Sequence, residues 1–63
     1  MEHPIKTKRE QQNISQNELS RLSGVKQSAI SDIESGKTKA PRIDTYAAIA
    51  RALNCKIDEL MKD

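Results

Sequence analysis

Five polar side chains gather in the segment KQSAISDIES: Lys26, Gln27, Ser28, Ser31 and Asp32 are left facing outward when Ala29, Ile30 and Ile33 face inward at helical spacing. An ammonium, an amide, two hydroxyls and a carboxylate on the outer face of one helix are suited to recognition by hydrogen bonds. Three cations follow in the loop GKTKAPR, Lys37, Lys39 and Arg42, with no acid among them. Such a run fits an ordinary solvated loop as well as a phosphate-neutralising one, and its place beside the polar helix favours the second reading. The other candidates for chemistry are scattered. His3 and Cys55 are the single residues of their kind and lie far apart, which supports neither a catalytic dyad nor a metal site, and no cofactor or enzymatic activity is expected. Cys55 reads as a small, partly buried filler rather than a reactive thiol. Tyr46, the one aromatic ring, reads as a core residue rather than a stacking platform for single strands.

Two short helices joined by a tight turn position the polar segment. Ser15 and Glu18 form an S-x-x-E capping box, in which the Ser15 hydroxyl accepts from the Glu18 amide and the Glu18 carboxylate reaches back to the Ser15 amide. A helix therefore starts at Gln16, with Ile14 and Leu19 at the spacing of a hydrophobic staple. Gly24 ends it in a left-handed conformation, Val25 carries the chain over the turn, and Gly36 stops the next helix. Helix, glycine turn and helix with a polar outer start form a helix-turn-helix, an arrangement that points to DNA.

Around this motif the chain reads as helical throughout. Residues 1–4 are expected to be a frayed lead-in. Pro4 suits a first helical position, and Ile5 to about Gln12 continues with good helix formers up to Asn13. Ile5 is the only strong apolar anchor of this helix, so Arg9, one turn later on the same face, is expected to point inward and lay its stem on the core. Ile43, Tyr46, Ala47, Ile49, Ala50 and Leu53 give a regular stripe for a fourth helix, with Asp44 in its first turn. Asn54 ends it, and Ile57, Leu60 and Met61 predict a short fifth helix led by Asp58 and Glu59.

The chain has 63 residues, a formal charge of +2 and 35% hydrophobic residues. That length suits one small domain over 1–63 and is too short for a large enclosed active site. The expected core comprises Ile5, Ile14, Leu19, Leu22, Val25, Ile30, Ile33, Ile43, Tyr46, Ile49, Leu53, Ile57 and Leu60. The charge is too small to argue for nucleic acid alone. Its distribution says more, since the cations cluster after the polar helix while Asp58, Glu59 and Asp63 gather at the far end. One cysteine permits no intrachain disulfide, and no apolar run suits a signal peptide or a membrane span, so a cytoplasmic protein without a membrane partner is expected.

In order and register, Arg9, Ser15-Gln16-x-Glu18-Leu19-Ser20, Gly24-Val25, Ile30-Ser31-x-Ile33-Glu34-x-Gly36, Pro41, Ile49-Ala50-x-Ala52-Leu53 and Ile57-Asp58-Glu59-Leu60 resemble the XRE, or Cro/CI-type, helix-turn-helix family that includes the lambdoid phage repressors. The resemblance covers nearly the whole chain. It implies an all-α, five-helix, lambda-repressor-like domain whose third helix, residues 27–35, enters the major groove while the second crosses the backbone. Gln27 matches a glutamine that reads adenine, a pairing that works because an amide offers one donor and one acceptor to adenine N7 and N6. Ser28, Ser31 and Lys26 follow as further base contacts. Asp32 suits either a cytosine N4 contact or a solvated or intramolecular role. Gln16 matches a residue that touches phosphate and braces the start of the reading helix. Ser15, Ser35, Lys39 and Arg42 match phosphate-contacting positions, and Lys37 joins them through the same loop. Arg9 and Glu34 match a structural ion pair between the first and third helices, a reading preferred over an Arg9 free for phosphate.

Several positions depart from the family pattern. Lys26 and Lys56 stand where a capping Ser or Thr is usual, forfeiting about 1 kcal/mol each. Ala40 replaces a cation found in some phage repressors, which weakens phosphate anchoring. The expected partner is a palindromic duplex operator bound by a homodimer, with half-sites about 34 Å apart, because one domain offers a single short reading helix. Neither the 36–42 loop nor the 55–59 region is apolar enough to promise a stable dimer off DNA. The competing reading is a protein-interaction module on the same scaffold, such as an antitoxin, which an apolar patch on the reading face would favour.

Overall fold

The computed structural model describes residues 2–61. Four α-helices follow one another, α1 (Pro4–Gln11), α2 (Gln16–Ser23), α3 (Gln27–Ser35) and α4 (Ile43–Leu53), and a 3-10 turn, Ile57–Glu59, comes after them. No strand occurs among the described residues.

Local chemistry accounts for most of the boundaries. Pro4 occupies the first turn of α1, and His3 Nδ1 accepts from the Ile5 amide at 3.1 Å. His3 and Pro4 therefore belong to the helix start rather than to a frayed lead-in: an imidazole nitrogen can satisfy one of the amides that a helix leaves without a partner. Met1 lies outside the described residues. Asn13 at φ 58° turns the chain out of α1, and Asn54 at φ 56° does the same after α4. Ser15 Oγ accepts from the Glu18 amide at 3.1 Å. The reciprocal arm of the expected capping box is not formed. The Glu18 carboxylate lies 3.6 Å from Arg21 instead, one turn along, where a full positive charge outcompetes an amide. Gly24 (φ 78°) ends α2 and Gly36 (φ 87°) ends α3, a backbone region in which a Cβ is penalised.

The expected fifth helix is only a 3-10 turn. Lys56 has no acceptor with which to cap it, and the Glu59 and Leu60 amides bond three residues back, to Lys56 and Ile57. This tight winding drops Leu60, fully buried, into the core. The Glu59 carboxylate accepts from the Lys56 amide at 3.1 Å and also pairs with Lys8, which ties the turn to α1. Asp63, expected in the acidic cluster, lies outside the described residues.

Ile5, Leu19, Ile30, Ile33, Tyr46, Ile49, Ala50, Leu53 and Leu60 form the buried core, with Ile14, Val25 and Ile57 packed at its edge. Two expected core residues are exposed, Leu22 at 48% and Ile43 at 60%. The inward face of α2 runs through Gln16, Leu19, Ser20 and Ser23, and Leu22 is rotated about a third of a turn away from its centre. Ile43 keeps the stripe of α4 but sits on its first residue, beyond the edge of the core. α2 packs on α3 and α4, while α1 bridges the same two helices. Gln12 Nε2 donates to the Leu53 carbonyl at 2.7 Å, satisfying one of the carbonyls left open at the end of α4. No buried side-chain nitrogen or oxygen among the described residues lacks a partner. This packing holds α3 by its Ile30 and Ile33 face and leaves Gln27 and Ser28 at its start in solvent.

Candidate nucleic-acid interface

A chain of hydrogen bonds runs from α1 to the start of α3. Arg9 Nε donates to Glu34 Oε2 at 2.9 Å and Arg9 Nη2 to Glu34 Oε1 at 3.0 Å, a two-pronged pair, while Arg9 Nη1 donates to the Ile14 carbonyl at 2.9 Å. Glu34 Oε1 also accepts from Gln16 Nε2 at 3.0 Å, and Gln16 Oε1 accepts from Gln27 Nε2 at 3.3 Å. The Arg9 and Glu34 side chains are 11% and 5% exposed. Burial is the largest influence on Glu34 and pushes its carboxyl up, but the bonds from Arg9 and Gln16 and the Arg9 charge outweigh it. The carboxyl is held below its ordinary range. The Glu34 bond and charge raise Arg9 against its burial. Glu34 is thus an acceptor only, so Gln16 must turn its Nε2 toward it and its Oε1 toward Gln27. Gln27 keeps one N–H and its Oε1 free.

The other candidate base contacts divide into two groups. Lys26, Gln27 and Ser28 are exposed at the start of α3, and Lys26 makes no side-chain cap bond, so the first amides of the helix remain available. Ser31 and Asp32 are half-buried. Ser31 lines a groove of about 330 Å³ together with Lys6, Arg9, Gln16, Glu34 and Ser35. It therefore faces α1 and the buried ion pair as well as solvent. The Asp32 carbonyl accepts from Ser35 Oγ at 3.2 Å and from the Thr38 amide at 3.1 Å, which folds the loop after α3 back onto its last turn.

The candidate phosphate contacts lie at the start of α2, at the end of α3 and in the loop that follows it. Ser15 is exposed at the cap of α2, with its oxygen engaged by the Glu18 amide and its hydroxyl proton left to donate. Gln16 has one amide hydrogen on Glu34 and a second to spare. Ser35 has its proton on the Asp32 carbonyl, so it would donate to phosphate only by giving up that bond. Lys37 and Lys39 are exposed and make no ion pair among the described residues. Arg42 lies 3.2 Å from Asp44, an exposed pair worth little against a phosphate. Sequence reasoning passed over Lys6, which lines the same groove, half-exposed and 3.9 Å from Glu2. Its position three residues before Arg9 was the available signal.

The helix-turn-helix family HTH_3 matches residues 5–60, from the first core residue of α1 to the buried leucine after the 3-10 turn. The chain belongs to the HTH_3 family. HTH_3, the XRE or Cro/CI type, comprises DNA-binding domains without enzymatic activity. No curated protein and no solved structure matches the chain. Among the described residues, no cluster of three His, Cys, Asp or Glu could hold a metal, and no helix is long and apolar enough to cross a membrane. The HTH_3 assignment and the polar, uncapped start of α3 both direct attention to duplex DNA.

Proposed function

We propose that this chain is a sequence-specific regulator of transcription that binds double-stranded DNA and acts as a repressor, with α3 in the major groove. The observation that carries the reading is the start of α3. Lys26, Gln27 and Ser28 stand clear of the fold, and the Gln27 amide, its polarity anchored on Gln16, keeps one donor and one acceptor, the pattern that adenine N7 and N6 complement. Ser15 and Gln16 at the positive end of α2, with Lys37, Lys39 and Arg42 in the loop, are suited to the phosphates on either side. The face is polar and charged, unlike the apolar docking surface of a protein-interaction module.

Two copies would occupy a palindromic site. The domain measures 24 × 23 × 21 Å, so copies in successive major grooves about 34 Å apart leave about 10 Å to be bridged by side chains. A narrow contact of that kind, through the 36–42 loop, the exposed Ile43 and the 55–59 region, fits a dimer that forms on DNA and dissociates without it. Selection of bound sequences from a random duplex pool tests the proposal. The expected result is a twofold-symmetric consensus bound by two copies with positive cooperativity. Failure to bind any duplex at low salt overturns the reading.

A further inference from the structure

We propose that Glu34, which makes no hydrogen bond to Gln27 and is nearly sealed from solvent, sets the base preference of Gln27 by fixing the direction of its amide. The inference rests on the reading of Gln27 as a base-contacting residue. Its argument is the direction of each bond in the chain. Arg9 can only donate, so Glu34 accepts at both oxygens, at 2.9 and 3.0 Å. Glu34 can only accept, so Gln16 donates to it at 3.0 Å and offers its oxygen to Gln27. Gln27 then donates at 3.3 Å and presents its own oxygen and remaining N–H outward.

The two glutamines alone have no such preference. Either amide can donate to the other, and the reversed arrangement would turn the Gln27 oxygen inward and both of its N–H groups outward. Two outward donors suit guanine, whose N7 and O6 are both acceptors. One donor and one acceptor suit adenine, and guanine O6 would then meet the Gln27 oxygen, lone pair against lone pair. Glu34 therefore acts as a positioning residue that discriminates between purines through two intervening bonds. A neutral amide at position 34 removes the constraint. If its oxygen serves Arg9 Nε, its NH2 faces both Gln16 and Arg9 Nη2 and reverses the relay; if its oxygen serves Gln16 and Arg9 Nη2, its NH2 opposes Arg9 Nε, so either orientation sets an NH2 against an Arg9 donor and the direction of the relay is no longer fixed.

The test compares the full chain with Glu34→Gln, Gln16→Ala and Gln27→Ala. Affinities are measured by competition on duplexes that differ only at the base whose preference Gln27→Ala abolishes. Wild type is expected to prefer adenine over guanine there by about 5-fold to 150-fold, the range of one good two-bond contact. Glu34→Gln is expected to reduce that ratio by about threefold or more while leaving preferences at other bases unchanged, and to have no further effect on the ratio in the Gln27→Ala background. Loss of affinity that is equal on all duplexes would make Glu34 merely structural and overturn the proposal. If Glu34→Gln does not fold, Gln16→Ala carries the test, because it leaves Arg9 and Glu34 bonded; an unchanged purine ratio in that variant also overturns it. If Gln27→Ala alters no base preference, the assignment of Gln27 as a reader has failed, and the relay falls with it.

Discussion

Removing the Glu34 carboxylate strands a cation. Glu34→Ala deletes three hydrogen bonds, two from Arg9 and one from Gln16, and leaves the guanidinium with the Ile14 carbonyl as its remaining protein acceptor. Breaking one side of a buried pair costs about 3 to 5 kcal/mol. The groove beside Lys6 and Ser35 opens toward the pair, so water can reach Arg9 and the loss is expected at the lower end, about 3 kcal/mol. A domain of this length has a total stability of about 3 to 9 kcal/mol, so the variant sits near the edge of unfolding at 25 °C. Urea melts read by circular dichroism measure the change as a shift of midpoint at unchanged slope. A shift under about 0.5 kcal/mol would mean that the pair behaves as an exposed one, which would refute the placement of α1 on α3. Replacing Arg9 by Met and Glu34 by Leu together is expected to cost less than Glu34→Ala alone, because no charge is then left unpaired. The pH dependence has a definite sign. The folded Glu34 carboxyl is held below its ordinary 4.5, so the folded chain binds fewer protons than the unfolded one. Its stabilising contribution is complete above that value and is lost as pH falls through the lower folded value. The gap between wild type and Glu34→Ala should therefore close in acid.

Other outcomes follow from the same geometry. Gln27→Ala is expected to lose about 1 to 3 kcal/mol per half-site on the selected operator and little on random duplex, whereas Lys39→Ala weakens both alike and lowers the salt slope by about 0.9 per subunit; titrations across a salt series separate the two. Gly36→Ala, at φ 87° with open space around the added Cβ, is expected to cost about 1 to 2 kcal/mol in urea melts through backbone strain alone. His3→Ala is expected to cost about 1 kcal/mol at neutral pH by removing the acceptor for Ile5. Burial lowers the His3 pKa against a smaller opposing pull from Glu34, so wild type loses this cap as pH falls below about 6.5 and the variant does not. Parallel thermal melts at pH 5 and pH 7.5 check both parts.

The elements set by local chemistry were legible in the sequence. Ser15, Gly24, Gly36, Asn13 and Asn54 act over one turn or less, and the helices begin and end beside them. What depended on how helices rotate against each other was less legible. Leu22 follows a helical apolar spacing and is exposed, because the face that α2 turns inward is centred nearer Ser23. The residues around Ile57 carry the composition of a helix and form only a 3-10 turn, led by a Lys56 that offers no capping acceptor and ending in the buried Leu60. The cap at His3 is not legible in the sequence, because imidazole is outside the usual set of Ser, Thr, Asp and Asn caps. In the candidate interface, the outward set on α3 could be listed from periodicity, but the half-burial of Ser31 and the inclusion of Lys6 in the groove depend on where α1 lies. The direction of the bond from Gln27 to Gln16 was beyond sequence reading, since it is decided by the protonation of a carboxylate on another helix turn.

Tyr46 is the only aromatic residue of the chain, and it is 8% exposed in the core rather than on the reading face. The molecule therefore carries a single near-ultraviolet chromophore, free of overlap from tryptophan or phenylalanine. Its circular dichroism reports the packing of α4 against the other helices, and its emission is not mixed with that of a second ring. A bound duplex would meet the opposite kind of surface, polar and without any ring to stack on, so this optical signal tracks the integrity of the core, and occupancy of the DNA must be read from a label on the nucleic acid.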